Sequence, residues 1–397
     1  MLKVTVPKEL NMLELSGESF YGMTFQKCIQ FPDRKRFKNG RFLFLNSFSN
    51  IEYAIETFPE ASWEGESLNS YNDFKRHKQQ EEFTLFQKKE QKQEDGDSLI
   101  FKTKPFDHQL KAYNISKDLE AFALLFEQGC GKTKVALDNA CYLYKQGKIE
   151  ALVIIAPNGV HTNWVQEEIP VHLNCEYEAF VWDGKHSKKN TNRLVEIGKS
   201  KKLRVYAFNI DCFVSEKQQQ LMVDILKSNK NLLVIDESQK IKNHKAKRTK
   251  FFCEIIKWKI KDKPGVKKTI GKILDFTQYR RICTGTPITN GTENIYTQFK
   301  FLNPNIIGIS SFYAFKSKYC VTKQCNFGGN NFEQIVGYKN INDLQNKIQS
   351  NSMRVLKKDC LDLPDKMYLK EFFDMSAGQK ELYESIRNEG IAMIEKM

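Results

Sequence analysis

Two short stretches carry residue types at spacings suited to phosphate chemistry. The first runs AFALLFEQGCGKT from Ala121 to Thr133: an apolar run, a turn holding Gly129 and Gly131, then Lys132 and Thr133. In that order a buried strand delivers backbone amides to an anion at a helix N-terminus, with an ammonium and a hydroxyl beside it. Glu127, Gln128, Gly129, Cys130, Gly131, Lys132 and Thr133 are therefore the candidate nucleotide-binding loop. The match is partial, because the strict phosphate-loop pattern has glycine where this chain has Phe126, and G-x-G-K-T also occurs in ordinary surface turns. The second stretch, NLLVIDESQ from Asn231 to Gln239, is an apolar strand that delivers Asp236 and Glu237 at its end. Adjacent acids there are costly unless they are used. One can hold Mg2+, usually through water, while its neighbour orients or deprotonates an attacking water. An N-cap Asp followed by a first-turn Glu is the alternative.

Three further groups sit where such a site needs help. RRICTGTPITN, Arg280 to Asn290, is a short strand running into Thr284, Gly285, Thr286 and Pro287. Its hydroxyls can bond the acidic site and a bound phosphate, and so report nucleotide state to a neighbouring domain. After the strand Ala151–Ala156, Pro157 opens a loop that presents Asn158, His161, Thr162, Asn163 and Trp164 to an entering helix. Loops at the carboxyl ends of strands are where open α/β sheets bind ligands, and these amides and hydroxyls suit nucleic-acid phosphates. For Trp164 the alternative is a packing anchor for the helix. Gln109 offers one acceptor and two donors, the set that reads the edge of an adenine; standing alone it would be a surface residue.

The elements that must position these residues follow from hydrophobic pattern. Continuous apolar strands, at Ala121–Phe126, Ala151–Ala156 and Leu232–Ile235, imply a parallel sheet covered on both faces. Helical spacing from Val135 to Gln146 ends at Gly147, a further strand is expected at Leu203–Phe208, and a helix at Asn294–Leu302. The fold class is thus α/β: a phosphate-loop lobe with a parallel sheet flanked by helices, and a small N-terminal α+β module. In that module we expect strands at Phe25–Phe31 and Arg41–Leu45, a basic turn at Asp33–Gly40, and a helix at Asn50–Thr57 capped by Ser49. The expected organisation is residues 1–70 as the accessory module, 71–98 as a charged linker or helix, 99–305 as the ATP-binding lobe, and 306–397 as a helical extension. Trp258 to Ile273 is read as an exposed loop or hairpin. Lysine-rich runs such as Lys185 to Arg204 are solvated faces unless a polyanion covers them.

The chain has 397 residues, hydrophobic content of 41% and a formal charge of +14. This excess of Lys and Arg favours a polyanionic partner. Ten cysteines are scattered without a C-x-x-C pair, which suits reduced thiols. The sequence has no apolar run of about eighteen residues and no signal-peptide pattern, so the expectation is a cytoplasmic protein, nuclear in a eukaryote, with no membrane partner.

In combination these segments resemble the Swi/Snf-type branch of the superfamily 2 helicases and DNA translocases. The resemblance rests on the Gln109 segment, EQGCGKT at Glu127–Thr133, IIAPNGVHTNWVQE at Ile154–Glu167, DESQKIKN at Asp236–Asn243, and TGTPITNGTENIYTQFKFLNP at Thr284–Pro304. RVLKKDCLDLPDK at Arg354–Lys366 and the stretch from Met375 look like the segment joining the family's two motor lobes. Tyr313 to Gly337 is similar to its phage and annealing-helicase members, and residues 1–70 resemble their HARP-like modules, with Phe37 and Phe42 where tryptophans are usual.

The resemblance implies that Lys132 neutralises the β- and γ-phosphates of ATP and that Thr133 and Asp236 engage Mg2+. It also implies that Glu237 positions the water, that Gln109 reads adenine, and that Asn158, His161, Asn163 and Trp164 meet DNA. Motors of this branch do not keep the first glycine, so Gly129 and Gly131 carry the turn. Gln239 replaces the usual histidine after the acid pair, so coupling to the second lobe is expected to differ in detail. The sequence reaches Met397 within a helical pattern; the resemblance implies a second RecA-like lobe bearing the arginines that reach the γ-phosphate. Without that lobe the expectation is nucleotide binding with weak turnover, arginine fingers being worth ~10³ or more. The alternative class is a nucleotide-gated DNA-binding or adaptor protein that does not hydrolyse ATP.

Overall fold

Runs of apolar residues six long become strands with every residue buried at Ala121–Phe126 and Ala151–Ala156, and Asn231–Asp236 is buried throughout as well. Strands buried on both faces need helices above and below, and the chain supplies them in alternation. The structure is a computed structural model and describes residues 2–7, 12–16, 27, 28, 30–33, 35–38, 41–89, 101–259, 267–327, 330–360 and 369–395.

The N-terminal part comprises β1 (Lys3–Thr5), β2 (Met12–Ser16), β3 (Lys35–Lys38), β4 (Arg41–Leu45), α1 (Phe48–Thr57), β5 (Ser62–Trp63) and α2 (Ser67–Lys89). Its sheet order is β3-β4-β2-β1-β5, parallel only between β1 and β5. The core is aromatic: the Phe31 ring lies 5.0 Å from Phe42, 4.7 Å from Phe44 and 4.9 Å from Tyr53. Three expectations are corrected here. Lys27 and Cys28 are helical rather than extended, and Phe31 enters the core from a turn. The expected basic turn is largely a strand, Lys35–Lys38, paired antiparallel with β4. Ser49 does not cap the helix; Ser47 holds the extended N-cap position and Ser49 is buried in the first turn. The charged stretch after residue 70 continues α2 to Lys89, and residues 90–98 lie outside the described residues.

The lobe begins with α3 (Asp107–Ser116), β6 (Ala121–Phe126), α4 (Lys132–Lys145), β7 (Ala151–Ala156), α5 (Val160–Asn163), a π turn (Trp164–Glu168) and α6 (Ile169–His172). It continues through β8 (Tyr177–Val181), α7 (Lys188–Gly198), β9 (Leu203–Asn209), α8 (Glu216–Lys227), β10 (Asn231–Asp236), α9 (Lys247–Cys253) and the hairpin β11 (Ile256–Lys259) and β12 (Lys267–Gly271). Then come β13 (Tyr279–Cys283), α10 (Asn294–Leu302), α11 (Pro304–Ile307), α12 (Phe312–Tyr319), the hairpin β14 (Cys320–Phe327) and β15 (Asn330–Tyr338), α13 (Ile341–Gln349), β16 (Ser352–Val355) and α14 (Lys357–Cys360). The large sheet has the order β16-β6-β13-β10-β7-β9-β8 and every neighbouring pair is parallel. The sheet thus extends past residue 305: β16 pairs with β6 from Ser352↔Ala123 to Val355↔Phe126. Residues 306–360 include a long hairpin and this edge strand, not helices alone.

A buried arginine locks the sheet to the helices beside the phosphate loop. Arg281, on β13 and fully buried, donates from Nε to Asn139 Oδ1 at 2.9 Å and from Nη2 to Ser116 O at 2.6 Å. Its Nη1 donates to Arg280 O at 2.9 Å and to Glu120 O at 3.3 Å. Burial pulls its guanidinium down to about 9. The N-terminal part is stitched to the lobe by Ser310, whose N and Oγ donate to Asp33 Oδ2 at 3.0 and 2.9 Å, and by Ser49 N donating to Gly308 O at 3.2 Å. Gly308 has φ +74, and a Cβ there would lie 2.8 Å from Ser49 Oγ, so this approach requires glycine.

Residues 361–397 form a second unit, in which α15 (Ala377–Glu395) is a single helix. Among the described residues no helix is long and apolar enough to cross a membrane.

Candidate nucleotide site and its coupling network

The carboxyl ends of β6, β10 and β13 are neighbours in the sheet, which brings the three sequence motifs together. The phosphate loop leaves β6 at Phe126, which is buried as the strand's last residue. Gly129 and Gly131 take φ values of +83 and +78, a region costly to any residue with a Cβ, so these two glycines make the turn. Helix α4 starts directly after them at Lys132. The Lys132 ammonium donates to Phe126 O at 3.1 Å, folded back over the loop. Thr133 is half-buried in the first turn of α4, and Gln128 and Gly129 are exposed.

Gln109 lies against this loop. Its Oε1 accepts from Phe106 N at 3.0 Å and its Nε2 donates to Cys130 O at 3.4 Å, which leaves one N–H and one lone pair for a ligand. A Cβ on Gly131 would come within 2.2 Å of Gln109 Nε2, so the second glycine also makes room for the glutamine. The segment after the edge strand β16, which pairs with β6, contributes two residues to which sequence reasoning assigned no role at this site. Lys357 N donates to Glu127 Oε2 at 2.6 Å, and its Nζ lies 3.7 Å from where a Cβ on Gly129 would stand. Cys360 Sγ is 3.8 Å from Cys130 Sγ. These partners are 230 residues apart in sequence, and no local pattern announces such a contact.

The acid pair closes the opposite side. Asp236 is buried at the end of β10; its Oδ1 accepts from Glu237 N at 2.9 Å and its Oδ2 from Trp164 Nε1 at 2.9 Å. Burial raises the Asp236 carboxyl above its ordinary value, against the pull of the Trp164 hydrogen bond. A carboxylate so placed, with lone pairs left on both oxygens, fits a divalent cation or its water. Glu237 adopts φ +49 and ψ +53, a left-handed conformation for a residue with a side chain. Strain of this kind, of order 1–3 kcal/mol, persists where surrounding structure fixes it and is common at functional sites.

Gln239 ties the acids to the β13 turn. Its Nε2 donates to Glu237 Oε2 at 2.7 Å and its Oε1 accepts from Thr284 Oγ1 at 2.7 Å. Thr286 N in turn donates to Thr284 Oγ1 at 3.1 Å. Ser238 Oγ donates to Gln298 Oε1 at 2.6 Å, and Gln298 Nε2 donates to Pro287 O at 2.8 Å, so α10 braces the same turn. Gly285 is pressed against the phosphate loop, where a Cβ would lie 3.2 Å from Phe126 O. The histidine position of the resembled motif is thus occupied by a residue that bridges a carboxylate and a hydroxyl.

The loop after β7 divides in two. Asn158 and Asn163 are exposed and remain candidates for DNA phosphates. His161 and Trp164 do not: His161 is buried with Nδ1 on Pro157 O at 3.3 Å, and Trp164 is 1% exposed, pointing inward to Asp236. Burial of this extent does not support the expected contact of these two side chains with DNA. Behind the acid pair, Lys240, Lys245, Lys247 and Lys250 are exposed and give this side a positive rim.

The family model described as the SNF2-related domain matches residues 108–397. The chain is similar to the TATA-binding protein-associated factor MOT1 of Saccharomyces cerevisiae, 26% identical over 171 residues, covering 43% of this chain and 8% of that protein. It is similar to Protein CHROMATIN REMODELING 24 of Arabidopsis thaliana, 21% identical over 286 residues, covering 67% of this chain and 24% of the relative. The Caenorhabditis elegans SWI/SNF-related matrix-associated actin-dependent regulator of chromatin subfamily A-like protein 1 homolog is 25% identical over 278 residues, covering 68% and 33% respectively. The chain spans 33% or less of the length of these three relatives. Among solved structures it is similar to the Sulfolobus solfataricus SWI2/SNF2 ATPase core in complex with dsDNA, with a TM-score of 0.46 and 21% identity over 75% of this chain and 55% of that one.

Proposed function

Because this chain belongs to the SNF2-related domain family, we propose that it is the nucleotide-binding lobe of an ATP-dependent DNA translocase. The observation that carries the reading is the convergence of three motifs at one edge of one parallel sheet: the loop after β6, the acids after β10 and the threonine turn after β13. Amides of Gly129, Gly131, Lys132 and Thr133 cradle the phosphates, and Lys132 leaves Phe126 O to neutralise them. Gln109, already against the loop, spends its free donor and acceptor on adenine. Thr133 and Asp236 are the residues that would hold Mg2+, whose chemistry is to neutralise charge on the phosphates. Glu237 orients the attacking water and Gln239 holds Glu237 in place. The turn Thr284–Gly285–Thr286, in contact with both sides, passes the state of the site onward. The exposed amides of Asn158 and Asn163 take DNA backbone phosphates, and the second RecA-like lobe is the partner expected to complete catalysis.

The test is binding of a fluorescent ATP analogue to the wild-type chain and to Lys132→Ala. Loss of affinity by about 100-fold or more is expected, since a desolvated charge-assisted contact is worth several kcal/mol. Equal binding by both proteins would remove the site assignment. DNA-stimulated hydrolysis in the complete protein separates a motor from a nucleotide-gated adaptor, which would bind ATP without turnover.

A further inference from the structure

Trp164 is placed unlike Trp182, which is buried, and Trp258, which is half-buried. The indole N–H groups of Trp182 and Trp258 are buried without a hydrogen-bond partner among the described residues, so burial alone does not bring an indole to a carboxylate. Trp164 Nε1 nevertheless donates to Asp236 Oδ2 at 2.9 Å, across 72 residues of sequence. It is also the first residue of the π turn Trp164–Glu168, inserted between α5 and α6. A π turn adds a residue to one helical turn and re-aims the side chains around it, a device common at functional sites. Gly159, with φ +79, is the N-cap of α5, and the chain passes directly from the last residue of that helix, Asn163, into the π turn.

We propose that Trp164 is a positioning residue that fixes the orientation of the Asp236 carboxylate, the group that would face Mg2+. Held by the indole on Oδ2 and by the Glu237 amide on Oδ1, the carboxylate has one orientation, with its remaining lone pairs directed at the cation site. The inference rests on the nucleotide-site reading above, and the experiment separates the two.

The experiment measures affinity of the wild-type chain and Trp164→Phe for a fluorescent ATP analogue, once in EDTA and once in Mg2+. Phenylalanine keeps most of the buried surface and removes the donor. In EDTA the two proteins should agree within about twofold, while the gain in affinity on adding Mg2+ should shrink by roughly 10-fold in the variant, the scale of one hydrogen bond to a charged group. An undiminished Mg2+ gain, or equal losses in EDTA and Mg2+, overturns the proposal. Wild-type chain that binds no nucleotide overturns the site itself and this inference with it. A second measurement needs no variant: with 15N-labelled tryptophan, one of the four indole N–H signals should shift with nucleotide and Mg2+ together and not with nucleotide in EDTA. Four indole signals indifferent to Mg2+ would equally overturn it.

Discussion

Replacing Gln239 by alanine removes both ends of a bridge at once. Glu237 loses the donor on Oε2 at 2.7 Å, and Thr284 loses its acceptor at 2.7 Å. A hydrogen bond to a charged group contributes about 1.5–3 kcal/mol, and each 1.36 kcal/mol of barrier is tenfold in rate. If the bridge acts by holding Glu237 on its water, that energy is felt in the transition state and kcat for ATP hydrolysis should fall roughly 10- to 100-fold. Nucleotide affinity should stay within about twofold, because Gln239 touches neither the phosphate loop nor Gln109. Single-turnover hydrolysis with saturating DNA, beside equilibrium binding of an ATP analogue, measures the two quantities separately. Gln239→His provides the internal control: a neutral imidazole has one donor and one acceptor and can span the same gap, so it should recover most of the lost rate. An unchanged kcat for Gln239→Ala, or a loss of affinity as large as the loss of rate, would refute the positioning role.

Two predictions concern the scaffold. Arg281→Ala strips the donors that bind Ser116, Asn139, Glu120 and Arg280 and leaves a cavity, so urea denaturation should show a loss of about 4 kcal/mol; a loss under about 1 kcal/mol would mean that the buried guanidinium is not the staple described. Asp138 pairs with Lys134 inside α4 at 2.9 Å, yet burial lifts its carboxyl from 3.8 to about 7. The folded state therefore holds the proton more tightly than the unfolded chain, and the associated stability is complete below pH 3.8 and drains as pH rises through about 7. Denaturation midpoints for wild type should fall over that window relative to Asp138→Asn, and parallel pH profiles would contradict the shift.

The central strands were legible because burial on both faces leaves a continuous apolar run: Ala121–Phe126 and Ala151–Ala156 carry the bounds read from sequence alone. The helix Asn294–Leu302 was legible for the same reason of pattern. The phosphate loop, the acid pair and the threonine turn could be named because phosphate chemistry restricts residue types. What remained hidden is what only folding brings together. β16 is four residues, Ser-Met-Arg-Val, with too little pattern to mark a strand, and it exists because β6 offers an open edge. Trp164 carried two readings that composition could not separate; the direction of its ring, inward to Asp236, separates them. Gln239 looked like a departure from a motif, and its geometry explains why an amide serves there: it donates to one neighbour and accepts from another. In the N-terminal part, β1 and β5 are three and two residues long, below the length at which alternation is readable.

The position of β6 has a consequence for how the chain is made. The strand bearing the phosphate loop lies between β13 and β16, both of which follow it by a long stretch of sequence: Arg281 reaches back 161 residues to Glu120, and Lys357 reaches back 230 to Glu127. On the ribosome, β6 therefore emerges with both edges bare and waits for partners through most of the lobe's synthesis. Such non-local parallel pairing is slow and exposes strand edges while it waits. Nascent chains arrested before Ser352 should present the β6 edge to chaperones or to one another, and the phosphate loop should become competent only when Glu127 receives the amide of Lys357.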